Sequence, residues 1–183
     1  MIEKIISAIE LLKETLSDIR WARMGAEALR DRGVITRTSL DIDIATDAPY
    51  AVVAAKLKTK NIYAPLHREK GSRITQRRGV LLTNIAGVPV DVHFGDDSML
   101  RDYEDIVHEK GKITKVESPF ISLEDHLIRK LLRYNPADRT DISEMLETRR
   151  IDWKKFNAKI DSLKAGEKTI VKRNLERTTK KVS

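Results

Sequence analysis

Apolar positions near the start of the chain recur at intervals of three and four residues: Ile5, Ile9, Leu12 and Leu16. That spacing predicts an amphipathic helix over residues 2–17. Residues 19–24 (IRWARM) read as a short strand ending at Gly25, and residues 26–32 as a helix stopped by Gly33. Over residues 38–46 apolar and polar positions alternate, as they do in a strand. Past Asp47 and Pro49 the run YAVVAAKLK returns to helix, with Asp47 or a neighbour as N-cap. Val80–Ile85 and Val88–Phe94 are two apolar runs separated by Ala86-Gly87, the signature of a hairpin. Ile113–Val116 predicts another short strand. Ser122 opens a helix whose apolar face holds Leu123, Leu127, Ile128 and Leu131, and Asn135-Pro136 breaks it. Further helices are predicted at Ala137 to Glu147 and over residues 152–163. Strands and helices mix without a repeated βαβ unit and without an internal repeat. The expected class is α+β: a mixed β-sheet with helices packed on it, plus C-terminal helices.

Composition narrows the function classes. A chain of 183 residues suits one domain, or one domain with an appendage. The absence of cysteine excludes disulfides, thiolate metal sites and a cysteine nucleophile. No apolar run approaches the ~20 residues that span a bilayer, and the N-terminal stretch mixes charge into its apolar positions. A cytoplasmic protein with no membrane partner is therefore expected. The formal net charge is +7, but it is unevenly placed. Lys164 to Ser183 holds seven basic and two acidic side chains, so this tail is +5 and the rest of the chain +2. The tail reads either as a solvated helix or frayed terminus, or as a nucleic-acid arm. A second basic cluster, His67, Arg68, Lys70, Arg73, Arg77 and Arg78, reads either as a solvated loop or as a rim that meets a polyanion.

The informative charges inside the body are negative. Asp41 and Asp43 lie in Leu40-Asp41-Ile42-Asp43-Ile44, where alternation turns both acids to one face. Asp91 lies in Val88-Pro89-Val90-Asp91-Val92 with the valines turned away from it. If these strands are neighbours, three carboxylates converge, which is unfavourable unless a cation cancels their repulsion. Mg²⁺, or Mn²⁺, takes carboxylate oxygens together with waters and substrate phosphates. His93 follows Asp91 by two and shares its strand face, as a substrate contact or as a hydrogen-bonded structural imidazole. His67, His108 and His126 show no zinc spacing.

Together with the upstream Met24-Gly25-Ala26, the acids Asp41-Ile42-Asp43 and Asp91 resemble the signature of the nucleotidyltransferase fold superfamily, the DNA polymerase beta-like group. The segment ALRDRGVITRTSLDIDIAT, with Gly33, Arg37, Thr38, Asp41 and Asp43, is similar to small stand-alone nucleotidyltransferases, including the toxins of abortive-infection (AbiEii-type) systems. The segment SPFISLEDHLIRKLLRYNPADRTDISEML is similar to the C-terminal helix pair of that group, with its Lys on Lys130 and its two Asp on Asp138 and Asp141. The likeness covers roughly residues 19–148, leaving an N-terminal helix (1–18) and a helical extension with the basic tail (149–183) outside it.

The resemblance implies a metal-dependent transfer of a nucleoside monophosphate from an NTP to an acceptor hydroxyl. Asp41, Asp43 and Asp91 would hold metal, and Gly25 and Ala26 would present backbone N–H groups to the triphosphate. Lys130 would neutralise phosphate charge, or else be a solvated helix residue. Arg37 would contact phosphate or pair with Asp41 or Asp43. Asp138 would orient Lys130 or a substrate, and Asp141 would cap or pair within its helix. The acceptor would be RNA, such as a tRNA end, or a protein, in a toxin–antitoxin or phage-defence setting with a cognate antitoxin as partner. The alternative is a non-catalytic module of the same fold that binds a partner protein or RNA. Two positions depart from the pattern: Ala26 replaces a second Gly or a Ser, and Arg23 takes a strand position that is usually apolar.

Overall fold

The computed structural model describes residues 1–64, 66–68, 79–94 and 105–182. Most of the basic cluster between Pro65 and Gly79 lies outside the described residues. The chain forms two compact units, one of Met1–Gly33 with Arg37–Ile121, the other of Val34–Thr36 with Ser122–Ser183.

The first unit holds helices α1 (Ile2–Thr15), α2 (Gly25–Asp31) and α3 (Tyr50–Thr59). Its strands are β1 (Trp21–Met24), β2 (Ile42–Thr46), β3 (Leu66–Arg68), β4 (Gly79–Ile85), β5 (Val88–Phe94), β6 (Val107–Lys110) and β7 (Glu117–Phe120). These seven make one sheet in the order β3-β4-β5-β2-β1-β7-β6. The sheet is mixed, as expected: β2 is parallel to β5 and antiparallel to β1, while β1 is parallel to β7. Ile42 and Ile44 of β2 and Val90 and Val92 of β5 are fully buried on one face, against Ile5, Ile9 and Leu12 of α1. Burying each such side chain contributes on the order of 1.5–3 kcal/mol. Alternation then sends Asp43 and Asp91 to the opposite face. A one-residue slip of either strand would bury an acid in this core, so the hydrophobic pattern fixes the register.

The β4–β5 hairpin forms where the sequence predicts it. Its turn residues Ala86 and Gly87 both adopt left-handed backbone angles, φ 53° and 78°, as a type I′ turn requires. One expectation is corrected: residues 113–116 are not a strand but belong to the turn between β6 and β7. The buried Asp31 carboxylate captures them. It accepts the N–H groups of Ile113 (3.1 Å) and Thr114 (2.9 Å) and the Thr114 hydroxyl (3.0 Å).

The second unit consists of α4 (Leu123–Arg133), α5 (Pro136–Glu147), α6 (Trp153–Asp161) and α7 (Ala165–Val182). Ser122 caps α4 by accepting the Asp125 N–H at 3.1 Å. Tyr134 ends that helix in a left-handed conformation, and Asn135 caps α5 by accepting the Asp138 N–H at 2.8 Å, with Pro136 in the first turn. The basic tail is a helix rather than a frayed terminus. Val171, Asn174 and Thr178 of α7 are buried, the Asn174 side-chain amide donates to the Leu131 carbonyl (2.8 Å), and Thr178 meets the Tyr134 hydroxyl (3.1 Å).

Candidate active site

The parallel pairing of β2 with β5 sets Asp43 directly beside Asp91. Neighbouring strands lie about 4.8 Å apart, so the two carboxylates stand side by side. His93, two residues further along β5, is on the same face, and its Nε2 lies 3.0 Å from Asp43 Oδ1. One ligand atom from each of Asp43, Asp91 and His93 lies within 4.8 Å of the other two. All three are partly exposed, Asp43 and His93 by about a fifth of their side chains, so the cluster is open to a ligand.

Gly25 closes one side of the cluster. It opens α2 with φ +77°, and a Cβ built there would stand 1.9 Å from Asp43 Oδ2. A side chain is excluded on both counts, backbone angle and space. The turn from β1 into α2 is therefore pressed against the acid it precedes by one loop and one helix. Ala26, the next residue, is buried.

The remaining predicted residues are distributed as follows. Asp41 lies one residue before β2, and its carboxylate accepts the Ser39 hydroxyl. It is not a member of the Asp43–Asp91–His93 group. Arg37 is half-buried on the segment that leads to β2. Lys130, Asp138 and Asp141 come together in the second unit, all nearly inaccessible. The Lys130 ammonium donates to Asp141 Oδ2 at 2.6 Å and reaches Asp138 Oδ1 at 3.4 Å, while Arg133 donates to Asp138 at 2.7 Å. Lys130 is thus held between two carboxylates rather than solvated on its helix.

Sequence reasoning passed over the partners of Arg23. This guanidinium is completely buried and lies 2.5 Å from Glu27 and 2.8 Å from Asp31. It donates to the Ser118 hydroxyl at 2.9 Å and sits over the Phe120 ring, 4.7 Å from its centre. Among the described residues, Arg23 Nε and Glu27 Oε2 have no hydrogen-bond partner. Burial pushes the Glu27 carboxyl above its ordinary value, against the opposing pull of Arg23. The signal was present as an Arg, Glu and Asp at successive four-residue steps, 23, 27 and 31. The network ties α2 to β1 and β7, and so holds the turn at Gly25 in place.

The donor set fits a divalent cation. Two carboxylate oxygens and an imidazole nitrogen lie close enough to share one ion, and their partial exposure leaves room for waters or phosphate oxygens. Carboxylates suit Mg²⁺ and Mn²⁺, and the imidazole favours the latter.

A mixed sheet that presents paired acids on adjacent parallel strands, with a glycine turn packed against them, defines a protein of the nucleotidyltransferase class. Residues 1–180 match the family described as "Nucleotidyltransferase of unknown function" (DUF6036), and the chain belongs to that family. The match takes in the N-terminal helix and nearly all of the tail, beyond the segment over which the sequence motifs are recognisable. No curated protein matches the sequence. Among solved structures, an antigenic nucleotidyltransferase-like protein from Paracoccidioides brasiliensis is 14% identical, covers 97% of this chain and 87% of its own, and has a TM-score of 0.49. JHP933 from Helicobacter pylori is 11% identical, with 98% and 95% covered and a TM-score of 0.48. No described helix is long and apolar enough to cross a membrane.

Proposed function

We propose that this protein is a metal-dependent nucleotidyltransferase that moves a nucleoside monophosphate from an NTP to an acceptor hydroxyl. The observation that carries the reading is the alignment of Asp43 with Asp91 on adjacent parallel strands, with His93 beside them. Asp43 and Asp91 hold Mg²⁺ or Mn²⁺. Asp41, two residues before Asp43, joins them by turning its carboxylate from Ser39. When bound, the ion neutralises triphosphate charge and stabilises the leaving pyrophosphate. The acceptor oxygen attacks the α-phosphorus, the bond to the β-phosphate bridging oxygen breaks, and Asp91 takes the acceptor's proton. Gly25 and Ala26 offer backbone N–H groups to the triphosphate, and Arg37 supplies positive charge. His93 orients Asp43 through its 3.0 Å contact. Lys130, which the family resemblance assigns to phosphate, is buried between Asp138 and Asp141 and takes no part in this reading.

The acceptor is an RNA, such as a tRNA end, or a protein side chain. By the same resemblance the setting is a toxin–antitoxin or phage-defence pair with a cognate antitoxin, in the cytoplasm. The test is incubation of the protein with each α-labelled NTP, Mg²⁺ or Mn²⁺, and pools of RNA and protein acceptors, beside Asp43→Asn and Asp91→Asn. Label transfer by wild type, reduced at least ~100-fold in either variant, supports the reading. A folded wild type that neither transfers label nor binds metal–NTP by calorimetry would overturn it in favour of a non-catalytic binding module.

A further inference from the structure

The solvent side of α7 takes no part in the chemistry above. This helix buries Val171, Asn174 and Thr178, spaced three and four apart. At about 100° per residue, Lys172, Arg173 and Lys180 fall on the opposite side and Arg177 on its flank, and all four are exposed. Among the described residues no ion pair holds any of the four, whereas Lys168, one turn earlier, is paired with Asp161 at 3.0 Å. Glu176 is the exposed acid among them. A solvated helix face in this same protein looks different: α1 exposes Glu3, Lys4, Glu10, Lys13 and Glu14, with both signs mixed. The bias of α7 is therefore not a general property of the surface.

The four cations run along about 12 Å of helix axis, a length over which a nucleic-acid duplex presents several phosphates. A bilayer surface would ask for apolar anchors as well. Among the described residues the exposed large hydrophobic side chains are Met1, Ile2, Leu40, Val52, Tyr63, Leu82 and Trp153, none of them on α7. We propose that the exposed face of α7 binds the phosphate backbone of a nucleic acid, without base specificity; this binding does not rest on the nucleotidyltransferase reading.

Fluorescence anisotropy of the full chain with a short RNA hairpin, and with a DNA hairpin of the same sequence, tests this between about 50 and about 200 mM salt. Wild type is compared with Lys172→Gln/Arg173→Gln/Arg177→Gln/Lys180→Gln and with Asp43→Asn. Wild type binds, with affinity falling steeply as salt rises. The quadruple variant keeps the wild-type circular dichroism and unfolding midpoint, because its altered side chains are exposed. Its log–log salt slope is shallower by about 3.6, since each of the four lost phosphate contacts removes about 0.9. Asp43→Asn binds like wild type, whether or not wild type transfers nucleotide, so failure of the reaction and failure of this surface are separable. Comparison of the two hairpins shows whether RNA or DNA is preferred. The proposal is overturned if the quadruple variant keeps the wild-type slope, if wild type binds neither hairpin at about 50 mM salt, or if it binds only phosphatidylserine vesicles.

Discussion

At Gly25 two constraints coincide: a left-handed backbone angle and the Asp43 carboxylate where a Cβ would stand. Gly25→Ala must move either the turn or the acid. It is expected to lower stability by about 1–3 kcal/mol and to weaken metal–NTP binding at least ~10-fold. Urea unfolding and calorimetry read the two effects separately, and a variant that binds like wild type would show that the turn does not touch the substrate. Glu27 makes a different prediction. Its carboxyl holds its proton more tightly in the folded protein than its ordinary value of 4.5 implies. Above that pH the native state therefore binds more protons than the unfolded chain, and this contribution to stability falls as pH rises towards the raised value. Glu27→Gln removes it. Unfolding midpoints measured at about pH 5 and about pH 8 should decline more in wild type than in the variant, and equal declines would mean that Glu27 titrates normally.

Elements differ in how far local sequence determines them. The β4–β5 hairpin was legible because apolar strand runs and turn chemistry are adjacent in the chain. The shared face of Asp43 and Asp91 was legible because they alternate with Ile42, Ile44, Val90 and Val92, which are fully buried; the strand predicted over residues 38–46 begins only at Ile42, so Asp41 falls outside it. What alternation left open was adjacency, which the parallel ladder supplies. β6 was not legible: Val107–Lys110 is an edge strand carrying charge and no buried face. Residues 113–116 read as a strand because Ile113 and Val116 look extended locally, while the carboxylate that holds them in a turn, Asp31, is some eighty residues away. Arg23 looked like a blemish in a strand for the same reason, since the benefit of its charge lies on α2. Between α4 and α5 the buried Lys130 yields a prediction. Lys130→Met leaves Asp138 and Asp141 facing each other with one cation fewer, and should cost about 3–5 kcal/mol. Denaturant unfolding measures this, and Lys130→Met/Asp141→Leu should recover part of the loss.

For the molecule as a whole, the net charge of +7 conceals two separate statements. The tail carries +5 of it, with Lys172, Arg173, Arg177 and Lys180 exposed on α7, and the body is nearly balanced around a cluster of acids. Charge alone suggested a polyanion; its placement underlies two separate proposals, a surface for phosphate backbone and a site for metal and nucleotide. The site is the central claim, and Mn²⁺ binding followed by electron paramagnetic resonance, with and without a non-hydrolysable NTP, tests it most directly. Wild type should bind Mn²⁺ and bind it more tightly when the nucleotide is present. Asp43→Asn/Asp91→Asn, folded by circular dichroism, should lose that binding. Equal Mn²⁺ binding by the double variant, or none by wild type even with nucleotide, would contradict the account.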